Sequence, residues 1–296
     1  MRAIFILVRR GIKIAFMRIT AIGFFIVLMV ANLLQAGTSP TTRSWTIGGV
    51  TREAALYVPA TAKTQQTPVI FAFHGHGGTI KTYSRHQFFP VAWPEALVVY
   101  PRGLPTPGRL TDKEGKAPGW QAGSGEQGDR DLKFFDAMLE SLKKDYDIDP
   151  LRIYVTGHSN GGTFTYVLWE TRGEEIAAFA PISCSLSMTT TKPAATEMQL
   201  RDVAPRPILH IGGKNDPLVK IEWQEATVAQ LRTFNHCGEG KAWDQHCTIY
   251  PSESGAPVLS WFHSGKHAPP NGAVETIVKF FKEFSIPAST SQPQQK

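Results

Sequence analysis

Three observations predict an α/β protein with a mostly parallel central sheet covered by helices on both faces. From Trp45 onward, short apolar runs rich in β-branched residues alternate with stretches of helical periodicity. Several of the runs, residues 68–73 most clearly, carry no interleaved polar residues, as in strands buried on both sides. The chain of 296 residues is 42% hydrophobic and 19% charged, enough apolar material for one sizeable core, with no internal repeat or linker to a second domain. A single domain over residues 37–286 is therefore expected.

The elements follow in order. Residues 45–47 and 53–58 read as an opening hairpin around Gly48-Gly49. Residues 68–73 form a buried strand ending at His74-Gly75, and residues 97–100 form another ending at Pro101. Residues 102–128 are rich in Gly, Pro and polar residues without a period and read as a long surface loop. Leu132, Phe135, Met138, Leu139 and Leu142 make a helical stripe over 131–144. Asp149-Pro150 turns the chain into a strand at 152–156, and a helix follows at 163–169. Strands at 177–183, 207–212 and 258–263 and helices at 222–234 and 273–284 complete the pattern. The Ser, Gln and Pro content of 287–296 predicts a disordered tail.

Charge and cysteines narrow the setting. The net charge of +6 is concentrated in Arg2, Arg9, Arg10, Lys13 and Arg18, which leaves the rest of the chain close to neutral and gives a nucleic-acid partner no electrostatic support. Those basic residues lead into an uncharged apolar run, 19–34, and then Gln35-Ala36-Gly37, the layout of an export signal over residues 1–36. Met17 offers an alternative start. The expected product is secreted or periplasmic, and it meets a membrane only if the segment stays attached as an anchor. In an oxidising compartment, Cys237 and Cys247 would close a short loop as a disulfide, and Cys184 would be a buried thiol. Two His-Cys dipeptides, His236-Cys237 and His246-Cys247, lack the usual spacing of a zinc site. No metal or organic cofactor is expected.

The chemistry centres on Gly157-His158-Ser159-Asn160-Gly161, which sits between an apolar strand and a helical stretch. A serine at such a turn is thrust out at the carboxyl end of the sheet, with helix amides behind it. It needs a base to take its proton and an acid to orient that base. Asp216 follows the strand at 207–212, where the acid belongs, and His267 lies between the last strand and the last helix, where the base belongs. Asp202, Asp244 and His263 are poorer candidates, and adjacency at the turn directs the His158 ring away from the hydroxyl. The amides of Asn160 and, in His74-Gly75-His76-Gly77-Gly78, of His76 are the expected oxyanion donors. Trp120, on the long loop, either lines a substrate pocket or packs in the core.

Together, His74-Gly75-x-Gly77-Gly78, Tyr100-Pro101, Asp131 with Phe134-Phe135, Arg152 to Gly162 around Ser159, Asp216-Pro217 and Gly265-x-His267 resemble the polyhydroxybutyrate depolymerase and feruloyl esterase family of α/β-hydrolases. The resemblance spans about residues 45–285. It implies an α/β-hydrolase fold with little or no lid. It also implies a serine esterase acting on feruloyl or acetyl esters of plant polysaccharide or on related small esters, with hydroxyalkanoate polyesters as the alternative. The family often places Trp and Pro soon after the histidine, where this chain has Ala268-Pro269-Pro270. Three rival readings share the fold: an acyltransferase, a peptidase of the prolyl oligopeptidase type, and a non-catalytic binding module.

Overall fold

The computed structural model describes residues 40–186 and 203–287. The expected leader, 1–36, and nearly all of the expected tail, 287–296, lie outside the described residues, as does Asp202. Among the described residues no helix is long and apolar enough to cross a membrane.

The chain opens with β1 (Thr41–Ile47) and β2 (Val50–Tyr57), an antiparallel pair turning at Gly48-Gly49. Then come β3 (Thr67–Phe73), two short helices α1 (Ile80–His86) and α2 (Phe89–Ala92), and β4 (Leu97–Pro101). The sequence patterning missed both helices. The first is a little under two turns long and starts at Thr79, whose side chain forms a capping box with Thr82. The second is a single turn with a proline at its start.

The expected surface loop at 102–128 is only partly that. It contains a two-stranded ribbon, β5 (Leu104–Pro105) with β6 (Pro118–Gly119), and a 3-10 turn, and it buries Trp120 and Gln121 completely. Beyond it lie α3 (Arg130–Asp145), β7 (Ile148–His158), α4 (Asn160–Arg172), β8 (Ala178–Ile182), β9 (Ile208–Gly213) and α5 (Ile221–Phe234). The short edge strands β10 (Lys241–Ala242) and β11 (Thr248–Tyr250), then β12 (Val258–His263) and α6 (Ala273–Glu283), complete the domain.

The main sheet runs in the order β1-β2-β4-β3-β7-β8-β9-β12-β11-β10. Pairing is parallel from β4 through β12 and antiparallel at both margins. Successive residues of the central strands feed opposite cores, as the period of two requires. Val69, Phe71, Phe73, Ile153 and Val155 pack with α3, α4 and α5, whereas Ile70, Ala72, Tyr154 and Ala180 pack with α1, α2 and α6. Full burial on both faces explains why these strands read as unbroken apolar runs. From β3 the chain moves to β4 on one side and later returns to β7 on the other. The crevice between the carboxyl ends of β3 and β7 is thus a topological switch point, where ligands bind in open α/β sheets.

The β11-β10 margin corrects the cysteine expectation. Cys237 and Cys247 are free thiols, as is the buried Cys184. Cys237 is half-buried against the core on one face of the sheet, while Cys247 is buried in the core of the other. Nearness along the chain does not bring them together, because the sheet margin runs between them.

Candidate active site

The chain reverses from β7 into α4 at Ser159, whose φ of 55° and ψ of −117° lie outside the ordinary regions for a residue with a Cβ. The turn survives because it is pinned on both sides. The Ser159 amide donates to the Ile182 carbonyl at 2.8 Å, and the Ser159 carbonyl accepts from Thr163 at 2.9 Å. Close approach explains the glycine at 161: a Cβ there would meet the backbone carbonyls of Phe73 and His74. β3 and the start of α4 therefore touch directly, and the loop after β3 lies beside the serine. A Cβ on Gly75 would come within 3.1 Å of the His158 ring and 3.3 Å of the Ser159 Cβ, tight enough that its neighbours would have to give way by a few tenths of an ångström.

Ser159 Oγ lies 2.8 Å from His267 Nε2, and His267 Nδ1 lies 2.7 Å from Asp216 Oδ2. The structure therefore brings all three predicted side chains into one hydrogen-bonded row. With Nδ1–H donating to the carboxylate, Nε2 is left to accept the serine proton. The other oxygen of Asp216 accepts the amides of Leu218 and Val219 at 2.8 and 3.0 Å, which fixes its orientation. The loops carrying Asp216 and His267 are tied together: Lys214 donates to the His263 carbonyl, and Asn215 to the carbonyls of Gly265 and Ser264. His263, the poorer candidate for the base, instead accepts the Gly265 amide at 3.0 Å and shapes the turn leading to His267.

Two further histidines brace the site. The His158 ring is engaged with the His267 loop: its Nε2 donates to the His267 carbonyl at 2.7 Å. Its ring also lies 4.8 Å from that of His267. His74 donates from Nδ1 to the Gly75 carbonyl and accepts the Gly103 amide at Nε2, so both ring nitrogens are committed to the fold. Burial pushes both imidazoles down to about 4. They are neutral near neutral pH.

Trp120 is corrected from a pocket candidate to a packing residue. Its indole is fully buried, stacks on Phe164 and donates from Nε1 to the His74 carbonyl. Its backbone is clasped by the Asn160 side chain, which accepts the Trp120 amide at 2.7 Å and donates to the Trp120 carbonyl at 2.9 Å. Sequence patterning missed this clasp, because the two partners lie 40 positions apart in an aperiodic loop and a helix start.

The two residues expected to supply the oxyanion donors, His76 and Asn160, both line a small cavity at Ser159. The Asn160 amide is at the first position of α4, where no intrahelical acceptor is available. In the loop after β3, Gly77 donates to Pro118 and Gly78 to Gly75. The His76 ring is held by the Thr106 carbonyl at 2.8 Å. A cleft of about 790 Å³ opens at Ser159 and His267, walled on one side by α1 and α2.

No family model matches the chain. It is 25% identical over 257 residues to a bifunctional acetylxylan esterase/xylanase of Neocallimastix patriciarum, a match covering 82% of this chain and 35% of that protein. It is 28% identical over 138 residues to poly(3-hydroxyalkanoate) depolymerase C of Paucimonas lemoignei, covering 42% and 30% respectively. The chain thus spans about a third of the length of these relatives. Among solved structures, the acetyl xylan esterase from Aspergillus awamori aligns with a TM-score of 0.60 at 15% identity, covering 82% of this chain and 99% of that one. The fold is that of the α/β-hydrolases, and the resemblance carried by the sequence motifs points to the same esterases and depolymerases.

Proposed function

We propose that this protein is an exported serine carboxylic ester hydrolase working through an acyl-enzyme. The observation that carries the reading is the row Asp216–His267–Ser159 at the carboxyl rim of the sheet. In this mechanism Ser159 Oγ attacks the ester carbonyl while its proton passes to His267 Nε2. The amides of His76 and Asn160 receive the negative charge that develops on the carbonyl oxygen. Collapse of the tetrahedral intermediate expels the alcohol, which takes the proton from His267. Water then repeats the sequence and frees the acid.

Similarity to an acetylxylan esterase and to a polyhydroxyalkanoate depolymerase supports carboxylic esters of carbohydrate, or hydroxyalkanoate esters, as the substrate class. Export rests on the basic and apolar patterning of residues 1–36.

The test is hydrolysis of a short-chain chromogenic ester by the purified protein and by Ser159→Ala. Turnover by the parent and a fall in kcat of about 10⁴-fold or more in the variant are expected. Turnover that survives the substitution would reject the assignment.

A further inference from the structure

Two cavities of very different size meet at Ser159. His76, Thr111, Ser159 and Leu218 line both. The large one, about 790 Å³, contains His267 and the residues that follow it, together with Phe88 and Val91. The small one, about 80 Å³, also reaches Ser159 but is bounded by Leu110, Asn160, Thr163, Cys184 and Val219, and His267 is not in its wall.

The chemistry assigns the two sides. In the tetrahedral intermediate the carbonyl carbon carries the serine oxygen, the oxyanion, the acyl substituent and the leaving alcohol oxygen. Only the alcohol oxygen must receive a proton from His267 Nε2, so the alcohol has to lie on the His267 side. The oxyanion is taken by the amides. The acyl substituent is left with the direction away from His267, into the small cavity.

Building on the esterase reading above, we propose that this small cavity is the acyl pocket and caps the acyl group at a short chain, while the large cleft admits a bulky alcohol. With about 80 Å³ against about 790 Å³, the small cavity has roughly a tenth of the room of the cleft. Of the acyl groups the esterase reading allows, acetyl, propionyl and hydroxybutyryl demand the least room and a hydroxycinnamoyl group, with its aromatic ring and propenoyl arm, the most.

The surface beside the nucleophile agrees with a large partner on the alcohol side. Val91, at 67% exposure, lines the large cleft, and Leu218, at 41%, lines both cavities. Exposed apolar side chains at a cleft mouth suit the flat faces of a sugar chain or polyester rather than a small alcohol that the cleft would swallow. Leu110, at 43% exposure, stands at the mouth of the small cavity, so its size can be changed without disturbing a core.

The experiment is a matrix of specificity constants. One series keeps 4-nitrophenol and varies the acyl group through acetyl, butyryl, octanoyl and feruloyl. The other keeps acetyl and varies the alcohol from 4-nitrophenol to acetylated xylo-oligosaccharide. Expected is a fall in kcat/KM on the order of tenfold or more from butyryl to octanoyl and to feruloyl, with acetyl retained on the large alcohol. Leu110→Ala should raise the octanoyl-to-acetyl ratio, and Leu110→Trp should lower the butyryl-to-acetyl ratio. Ester turnover that favours octanoyl or feruloyl groups, or ratios unmoved in both Leu110 variants, overturns the pocket assignment and leaves the esterase reading standing. Absence of turnover on every ester overturns both.

Discussion

His158 bears on the proposed base, His267, through that residue's backbone. Its Nε2–H holds the His267 carbonyl, so the backbone carrying the base is tied to the residue preceding the serine. Since burial keeps the His158 ring neutral down to about pH 4, this tie persists through the pH range in which a neutral His267 is needed. Removing it leaves Asp216 and Ser159 in place but frees the His267 loop to drift. A drift of about 1 Å between reacting groups costs on the order of 100-fold in rate. His158→Ala should therefore lower kcat by about 10- to 100-fold on a short-chain ester with little change in KM, and His158→Asn, which keeps a side-chain N–H, should recover part of the loss. Steady-state kinetics of the two variants check this. Equal loss in both, or a loss confined to KM, would assign His158 to packing alone.

The element-level counterpart is the anchoring of α3 and the long loop to the sheet. Arg52 on β2 and Asp131 at the start of α3 form a salt bridge at 2.8 Å, with side chains almost fully removed from solvent. The other Asp131 oxygen accepts the Gln121 amide at 2.9 Å, and the guanidinium lies over the Phe134 ring. Burial pulls the Arg52 pKa down, and Asp131 opposes that pull. Asp131→Ala leaves a buried cation with no carboxylate and should cost about 3–5 kcal/mol in unfolding free energy, read from urea titration. Adding Arg52→Met should restore much of it, because an apolar replacement removes the stranded charge. A single variant as stable as the parent would mean that water reaches Arg52. Sequence patterning reached the strands, the long helices and Ser159, Asp216 and His267, because buried parallel strands and the glycine-flanked turn leave local signatures. It did not reach α1 and α2, which are too short to show a period, nor the packing of residues 102–128. There, order comes from Trp120 against Phe164 and from the Asn160 clasp, contacts that leave no trace in the residues on either side. It also paired Cys237 with Cys247, since which sheet face a residue takes at the margin depends on a register that the sequence does not display.

Across the whole molecule, burial of neutral imidazoles couples folding to pH. His74, His158 and His210 are each pushed down to about 4, with desolvation as the leading cause. His210 accepts from the Tyr166 hydroxyl at Nδ1 and donates from Nε2 to Gln224, so a second proton would break a buried hydrogen bond as well as charge the ring. In the unfolded chain these groups titrate near 6.5. Between about pH 6.5 and 4 the unfolded state therefore binds more protons than the folded one, and stability rises with pH across that window. The contribution is fully present above about pH 6.5 and is lost as pH falls toward 4. With three such groups, the unfolding free energy should drop on the order of 5 kcal/mol between pH 7.5 and pH 4.5. Urea titrations at fixed ionic strength across that range measure it. His210→Gln removes one titrating group outside the Asp216–His267–Ser159 row and should make the dependence shallower by about one proton, even if the variant is less stable at every pH. A profile with the same slope as the parent would show that His210 is charged in the folded protein, or that other groups set the acid limit.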